Sequence, residues 1–280
     1  TVGVGNTIMG SQTADALTDA DFNTAIGGFA LTSDTLGSRS TAIGYSALFS
    51  QNFTTATDAY NTAVGFESGA NVTTGNSNTF IGGLTGDAIT SGSNNVAVGK
   101  GAYSTDTQGR ENVAVGNGAL FTQNFTTSTT SFNTAVGSSA GGAITTGVQN
   151  VFVGGLVGDA LTDADFNTAV GYAALSSDTL GSRSVAVGTG ALGSQNFTTA
   201  TNSYNVAVGE SAGASVTTGI QNTLIGGLVG DALTDADYNT GVGYAALTVD
   251  TLGSRSTALG AYTLQAQNFT TATTAYNTSV

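Results

Sequence analysis

The stretch FNTAVGYAAL, residues 166–175, reads as a short β-strand running into a turn, with an Asn-Thr pair, an apolar pair, a Gly where the chain bends and apolar residues beyond it. Variants recur as FNTAIGGFAL, YNTAVGFESG, ENVAVGNGAL, SRSVAVGTGAL and YNTGVGYAAL. The Gly that closes each motif stands at Gly10, Gly27, Gly44, Gly65, Gly82, Gly99, Gly116, Gly137, Gly154, Gly171, Gly188, Gly209, Gly226, Gly243 and Gly260. The spacing is 17 except from Gly44, Gly116 and Gly188, where it is 21, so three short units and one long one make a super-repeat of 72. Two nested periods predict a solenoid whose units stack only on their neighbours.

Helical repeats are longer and use good helix formers, whereas these units hold β-branched residues, Gly and Thr between turn residues, so each is expected to be a β-coil. Coils stacked at about 4.8 Å give a rod roughly 70–80 Å long. Four positions before the Gly stands Asn or Ser (Asn23, Ser40, Asn61, Asn78, Asn95 and onward), a column suited to stacked amide hydrogen bonds. From Ile26 to Val242, Ile or Val stands one before the Gly. Ala stands two before it in most coils, replaced by Phe80, Phe152 and Leu224 once per super-repeat. Side chains alternate across a strand, so both faces are apolar. The expectation is that Val packs inside the coil and that the small Ala face meets another copy of the chain, with a homotrimer preferred over a dimer or bundled filament.

Composition narrows the chemistry. The 280 residues include 41 Gly, no Pro, Cys, His or Trp, and only 8% charged residues. Imidazole bases, thiolate nucleophiles and soft metal ligands are therefore absent. A net charge of −13 with five basic residues leaves no basic face for nucleic acid. No apolar stretch of about 18 residues exists for membrane insertion. The chain begins and ends inside a repeat, which predicts a single continuous repeat rod over residues 1–280 belonging to a longer polypeptide.

The pattern in NTAVGYAAL and NVAVGNGAL, followed by a polar turn, resembles the head repeats of YadA-type trimeric autotransporter adhesins, and similar repeats occur in phage tail fibres. The resemblance covers essentially the whole chain, although even the short unit is longer than the typical head repeat and the regular long unit is a further departure. It implies a left-handed parallel β-roll trimer on a bacterial or virion surface, acting in adhesion, with no catalytic residue.

Two candidate sites follow from the repeat. DALTDADFN (residues 15–23 and 159–167, and 231–239 with Tyr for Phe) carries a D-x-D-x-N core: Asp19, Asp21, Asn23; Asp163, Asp165, Asn167; Asp235, Asp237, Asn239. Alternating oxygen ligands are what a calcium loop offers, but the turn Gly and distal Glu of an EF-hand are missing, and a solvated acidic turn is the preferred reading. The long units carry QNFTTATDAYN (residues 51–61) and its variants. Their added residues are expected to bulge outward about every 19 Å, and Phe53, Tyr60, Phe125, Phe132, Phe197, Tyr204, Phe269 and Tyr276 could line a glycan or receptor stripe. The preferred alternative folds Phe53, Phe125, Phe197 and Phe269 back over neighbouring coils. Arg39, Arg183 and Arg255 follow Asp34, Asp178 and Asp250 by five positions, suggesting a salt bridge across the turn or to a neighbouring subunit.

The expected function is a structural, adhesive, extracellular fibre segment with itself and a surface receptor or glycan as partners, and no cofactor beyond the calcium candidate. A single-chain ice- or glycan-binding solenoid would need a more regular Thr column than Thr24, Thr62, Thr79, Thr134 and Thr168, which Val96, Val113, Val151, Val185 and Val206 interrupt. A tailspike-type glycosidase would need two placed carboxylates in a cleft.

Overall fold

The computed structural model describes residues 3–280. Contacts divide the chain into two compact units, Thr1–Ser138 and Ser139–Val280. The chain is an all-β parallel solenoid of 16 turns, eight to each unit, and the described residues include no helix. None is therefore long and apolar enough to cross a membrane.

In the first unit the strands Thr7–Met9, Thr24–Ile26, Thr41–Ile43, Thr62–Val64, Thr79–Ile81, Val96–Val98, Val113–Val115 and Thr134–Val136 pair in parallel, each with the next. The second unit repeats the arrangement from Val151–Val153 through Thr168–Val170, Val185–Val187, Val206–Val208, Thr223–Ile225, Thr240–Val242 and Thr257–Leu259 to Thr278–Ser279. The register is in step with the repeat, so that Ala25 pairs with Ala42 and Ala42 with Ala63. Each long unit contributes a second parallel ladder, Gly37–Ser38 with Thr57–Asp58 and Gly109–Arg110 with Thr129–Thr130 in the first unit. Gly181–Ser182 with Thr201–Asn202 and Gly253–Ser254 with Thr273–Thr274 do the same in the second.

The strands are short because the backbone is bent on both sides. The residue before each Asn or Ser column position takes a left-handed conformation, as at Phe22 (φ 58°), Arg39 (φ 64°) and Tyr60 (φ 51°). The Gly after the strand lies between φ 126° and 142°, a region closed to side chains. Stacking adds a second requirement, since a Cβ on Gly99 would sit 2.5 Å from the Gly116 carbonyl oxygen of the following coil.

The orientation of the strand corrects the sequence expectation. From Thr24–Ile26 to Thr257–Leu259 the middle residue of each three-residue strand, Ala in most coils with Phe80, Phe152, Leu224 and Gly241 as the exceptions, is buried inside the coil, whereas Ile8 in the first strand is exposed. The Ile/Val column points outward and stays partly exposed, reaching 41% at Ile81 and Ile225. The reason is room: the interior must also hold Leu31, Leu48, Leu120, Leu175 and Leu192, four positions after the Gly, and only Ala leaves space opposite them. The exceptions follow the same volume rule. Where Phe80 enters the core, the Leu positions hold Gly69 and Gly86, and a Cβ on Gly86 would meet the Phe80 ring at 2.6 Å. Gly158 stands in the same relation to Phe152 at 2.6 Å, and Gly213 and Gly230 to Leu224 at 2.8 and 2.9 Å. Large and small residues exchange columns while the filled volume is kept.

These contacts predict that Gly99→Ala will destabilise the chain by about 2 kcal/mol or more, from the left-handed strain and the clash with the next coil together. Gly83→Ala, where nothing comes closer than 3.9 Å, should change stability by less than about 0.5 kcal/mol. Chemical denaturation of the two variants checks the difference.

Candidate functional site

The acidic turns separate into residues with different duties. Asn23, Asn167 and Asn239 are buried and belong to the amide column of the core. The Asn23 N–H donates to Asn6 Oδ1 (2.8 Å) and its Nδ2 to the Gly37 carbonyl (2.9 Å). Asn167 repeats this with Asn150 Oδ1 and the Gly181 carbonyl, both at 2.9 Å, and Asn239 with Asn222 Oδ1 (3.0 Å) and the Gly253 carbonyl (2.9 Å). The left-handed residue before each Asn turns it inward while the Asp before that stays at the surface. There Asp21 Oδ1 accepts the Val4 N–H (2.7 Å), Asp165 Oδ1 that of Val148 (2.7 Å) and Asp237 Oδ1 that of Ile220 (2.8 Å). Asp19, Asp163 and Asp235 are exposed, and the latter two accept hydroxyls from Thr146 and Thr218 at 2.6 Å. The three oxygens of each D-x-D-x-N core thus face different ways. Among the described residues no group of three or more acidic side chains is placed to hold a metal ion.

The long units divide their aromatics between inside and outside. Phe53, Phe125 and Phe197 are buried and offer no ring to a surface ligand, and Phe269 is half-buried. Tyr60, Phe132, Tyr204 and Tyr276 are exposed by 54%, 52%, 51% and 71%, so this half of the predicted stripe is available. Two arginines reach it, and each arginine also lies over the ring before the neighbouring Asn. The Arg39 guanidinium lies 5.1 Å from the Phe22 ring centre and 5.9 Å from that of Tyr60, while its Nε meets Asp58 Oδ1 at 2.9 Å. Arg183 lies over Phe166 (4.4 Å) and Tyr204 (6.0 Å), and Arg255 over Tyr238 (4.3 Å).

The expected bridge from Asp34 to Arg39 does not form, because Asp34 is wholly buried. Its Oδ1 accepts the Gly37 N–H (3.0 Å) and the Phe53 N–H (3.1 Å), and its Oδ2 accepts from Gln51 Nε2 (2.5 Å). Gln51 also donates to Ser40 Oγ (3.0 Å) and accepts from Asn61 Nδ2 (2.8 Å), which ties the long coil into the amide column. Asp178 with Gln195 and Asp250 with Gln267 repeat the cluster. At Asp106 a buried tyrosine joins it: the Tyr103 hydroxyl donates to Asp106 Oδ2 (2.8 Å) and accepts from Asn112 Nδ2 (2.8 Å). The sequence signal for these clusters was the pairing of an Asp with a Gln one coil on in every super-repeat, Asp34 with Gln51, Asp106 with Gln123, Asp178 with Gln195 and Asp250 with Gln267.

Two pKa shifts among the carboxylates have a plain cause. Burial raises the carboxyls of Asp87 and Asp159 above their ordinary value, and each has one buried oxygen without a hydrogen-bond partner. Burial also raises the Tyr103 phenol well above 10.0, reinforced by the charge of Asp106. No protein-family model and no curated protein matches this chain. The described surface offers a repeating aliphatic face, Arg-aromatic stacks and acidic turns in which Asp21, Asp165 and Asp237 each accept a backbone N–H of a neighbouring coil.

The tyrosine gives a pH prediction with a definite sign. A phenol raised in the folded state favours folding below the unfolded value near 10, and that contribution is lost as pH rises above it. Wild-type protein should lose stability more steeply between about pH 9 and 11 than Tyr103→Phe. Denaturation midpoints of both proteins across that range are the check, and parallel curves would contradict the assignment.

Proposed function

We propose that this chain is a structural, non-catalytic segment of an extracellular fibre, carried on a virion or a bacterial surface. It acts as a spacer and as a display surface for attachment to a receptor or glycan. In this reading the chain assembles as a homotrimer of left-handed coils, short and long in the three-to-one order of the sequence period, in the manner of the YadA-type head repeats and phage fibres that NTAVGYAAL resembles.

The observation that carries the reading is the outward aliphatic column. Within the first unit, Ile26, Ile43, Val64, Ile81, Val98, Val115 and Val136 stand on successive paired strands, none of them buried. The second unit presents the corresponding column from Val153 to Leu259. A single chain leaves this stripe in water at every coil, and β-branched residues on a pleated face pack well against a second such face. An apolar face that recurs with the repeat calls for a partner that recurs with it, which another copy of the chain supplies. Low charge and absent basic patches fit a passive scaffold better than a nucleic-acid or acidic-substrate binder.

Light scattering tests the assembly. The expected mass is close to three chains of 27.5 kDa, unchanged by a calcium chelator. Ile225→Asp, on the exposed column, should lower that mass while the β-type circular dichroism is retained. A wild-type mass of one chain at micromolar concentration counts against the proposal, as does the failure of immobilised protein to bind any cell surface against the adhesive part.

A further inference from the structure

The first unit carries a surface cavity that the repeat itself does not require. Its volume is about 470 Å³, and its aromatic wall consists of Phe29, Tyr45 and Phe49. Phe29 meets Tyr45 edge-on at 5.6 Å and 78°, and the Phe49 ring lies 6.4 Å from that of Phe29. Outside the lining, Phe66 stacks on Tyr45, 5.6 Å apart at 11°, and holds that ring in place from the next coil. Tyr45 and Phe66 are half exposed, at 50% and 53%.

The floor is rigid. Ser46 N–H donates to the Gly28 carbonyl and Glu67 N–H to the Tyr45 carbonyl, both at 2.9 Å, so the turns bearing the rings are tied coil to coil. Ser46, Glu67 and Asn71 supply the polar part of the lining. Asn71 is fixed by its Nδ2, which donates to the Asp87 carbonyl at 2.8 Å.

The super-repeat provides the control. One period of 72 later, Phe29, Tyr45 and Phe66 are matched by Gly101, Asn117 and Ser138, and two periods later by Ala173, Thr189 and Glu210. The equivalent cavity one period on, about 350 Å³, keeps Phe121 as its one ring and gains Lys100. These coils fold without the rings of Phe29, Tyr45 and Phe66, so these three aromatics are not there to build the coil. Concentrating them once, at the surface, leaves them an external ligand.

We propose that this cavity binds one neutral pyranose unit of a glycan. Phe29, Tyr45 and Phe49 would pack on the C–H face of the sugar, and Ser46, Glu67 and Asn71 would bond its hydroxyls. An aromatic wall beside a carboxylate and a hydroxyl matches a ring with one apolar face and a polar edge. The Glu67 carboxylate, with no cation in the lining, selects against acidic sugars. A second copy of the chain fits less well, because an interface between repeating chains would recur with the repeat and charged residues are depleted from interface cores. The inference rests on the reading of the chain as a display surface and names where that surface recognises its target.

The test titrates the intact chain, its mass measured in the same sample, with gluco-, galacto- and manno-configured neutral pentasaccharides, by calorimetry and saturation-transfer NMR. At least one is expected to bind with one site per chain. Tyr45→Ala and Phe29→Ala should each weaken it about tenfold or more, whereas Tyr172→Ala, an isolated exposed ring in the second unit, should leave it unchanged. Absence of binding at millimolar sugar in a trimeric preparation overturns the glycan site and leaves the fibre reading standing. A fall in mass on Tyr45→Ala overturns it in favour of a second copy as occupant. Sugar binding by a monomeric wild type supports the site and contradicts the trimer.

Discussion

Coil-to-coil contact through a buried side-chain amide is the interaction on which the rest of this structure depends. At most column Asn residues the side-chain oxygen accepts the backbone N–H of the next column residue, and the side-chain nitrogen donates to a turn carbonyl of the next coil, as with Asn78, Asn95 and the Gly92 carbonyl. One side chain thus satisfies two buried backbone groups of its neighbour. Removing such a residue leaves both unpaired, at about 1–3 kcal/mol each, more than the bonds themselves contribute net. Such short strands have few ladder bonds of their own, so this column and the parallel pairing hold register together. Where the column holds Ser, as at Ser40, the shorter side chain is completed by Gln51 and Asp34. That buried carboxylate, compensated by two backbone N–H groups and an amide, is the structural reason for the long unit.

The Gly column is the geometric counterpart. Its backbone conformation and its contact with the next coil both exclude a side chain, and the interior that results is narrow enough to admit only Ala across from Leu. The same volume balance accounts for Phe80, Phe152 and Leu224 facing Gly instead of Leu. A core filled this tightly faces inward, and the outer aliphatic column is left partly exposed.

Much of this was legible in the sequence because a solenoid converts periodicity directly into neighbours. The Asn, Gly and Val columns could be read from spacing alone, and with them the parallel all-β coil. Which strand face points inward could not, because the Ala and Val columns are both apolar and alternation assigns opposite faces without saying which is inside; the Leu column decides it by volume. Asp34 read as a partner for Arg39 because the two stand five positions apart, whereas its real partners, Gln51 and the Phe53 amide, lie one coil away. The acidic turns kept a calcium loop as the alternative to the preferred solvated turn because the left-handed residue at Phe22, Phe166 and Tyr238, which separates Asp from Asn, is not a Gly and gives no warning. The aromatic cavity of the first unit arises from positions that vary between repeats, and a search for the repeated pattern passes over them.

Residue-resolved amide hydrogen exchange is the most direct measurement of the central claim, since it reports the stacking bonds themselves. The account predicts that the backbone amides of Asn78, Asn95 and Asn112, each donating to the preceding Asn side chain, exchange only by global unfolding, together with the strand amides beside them. The amides of the exposed segment at Thr54 and Thr55 should exchange orders of magnitude faster. Asn-column amides exchanging as fast as that segment would contradict a fold held together by a buried amide column.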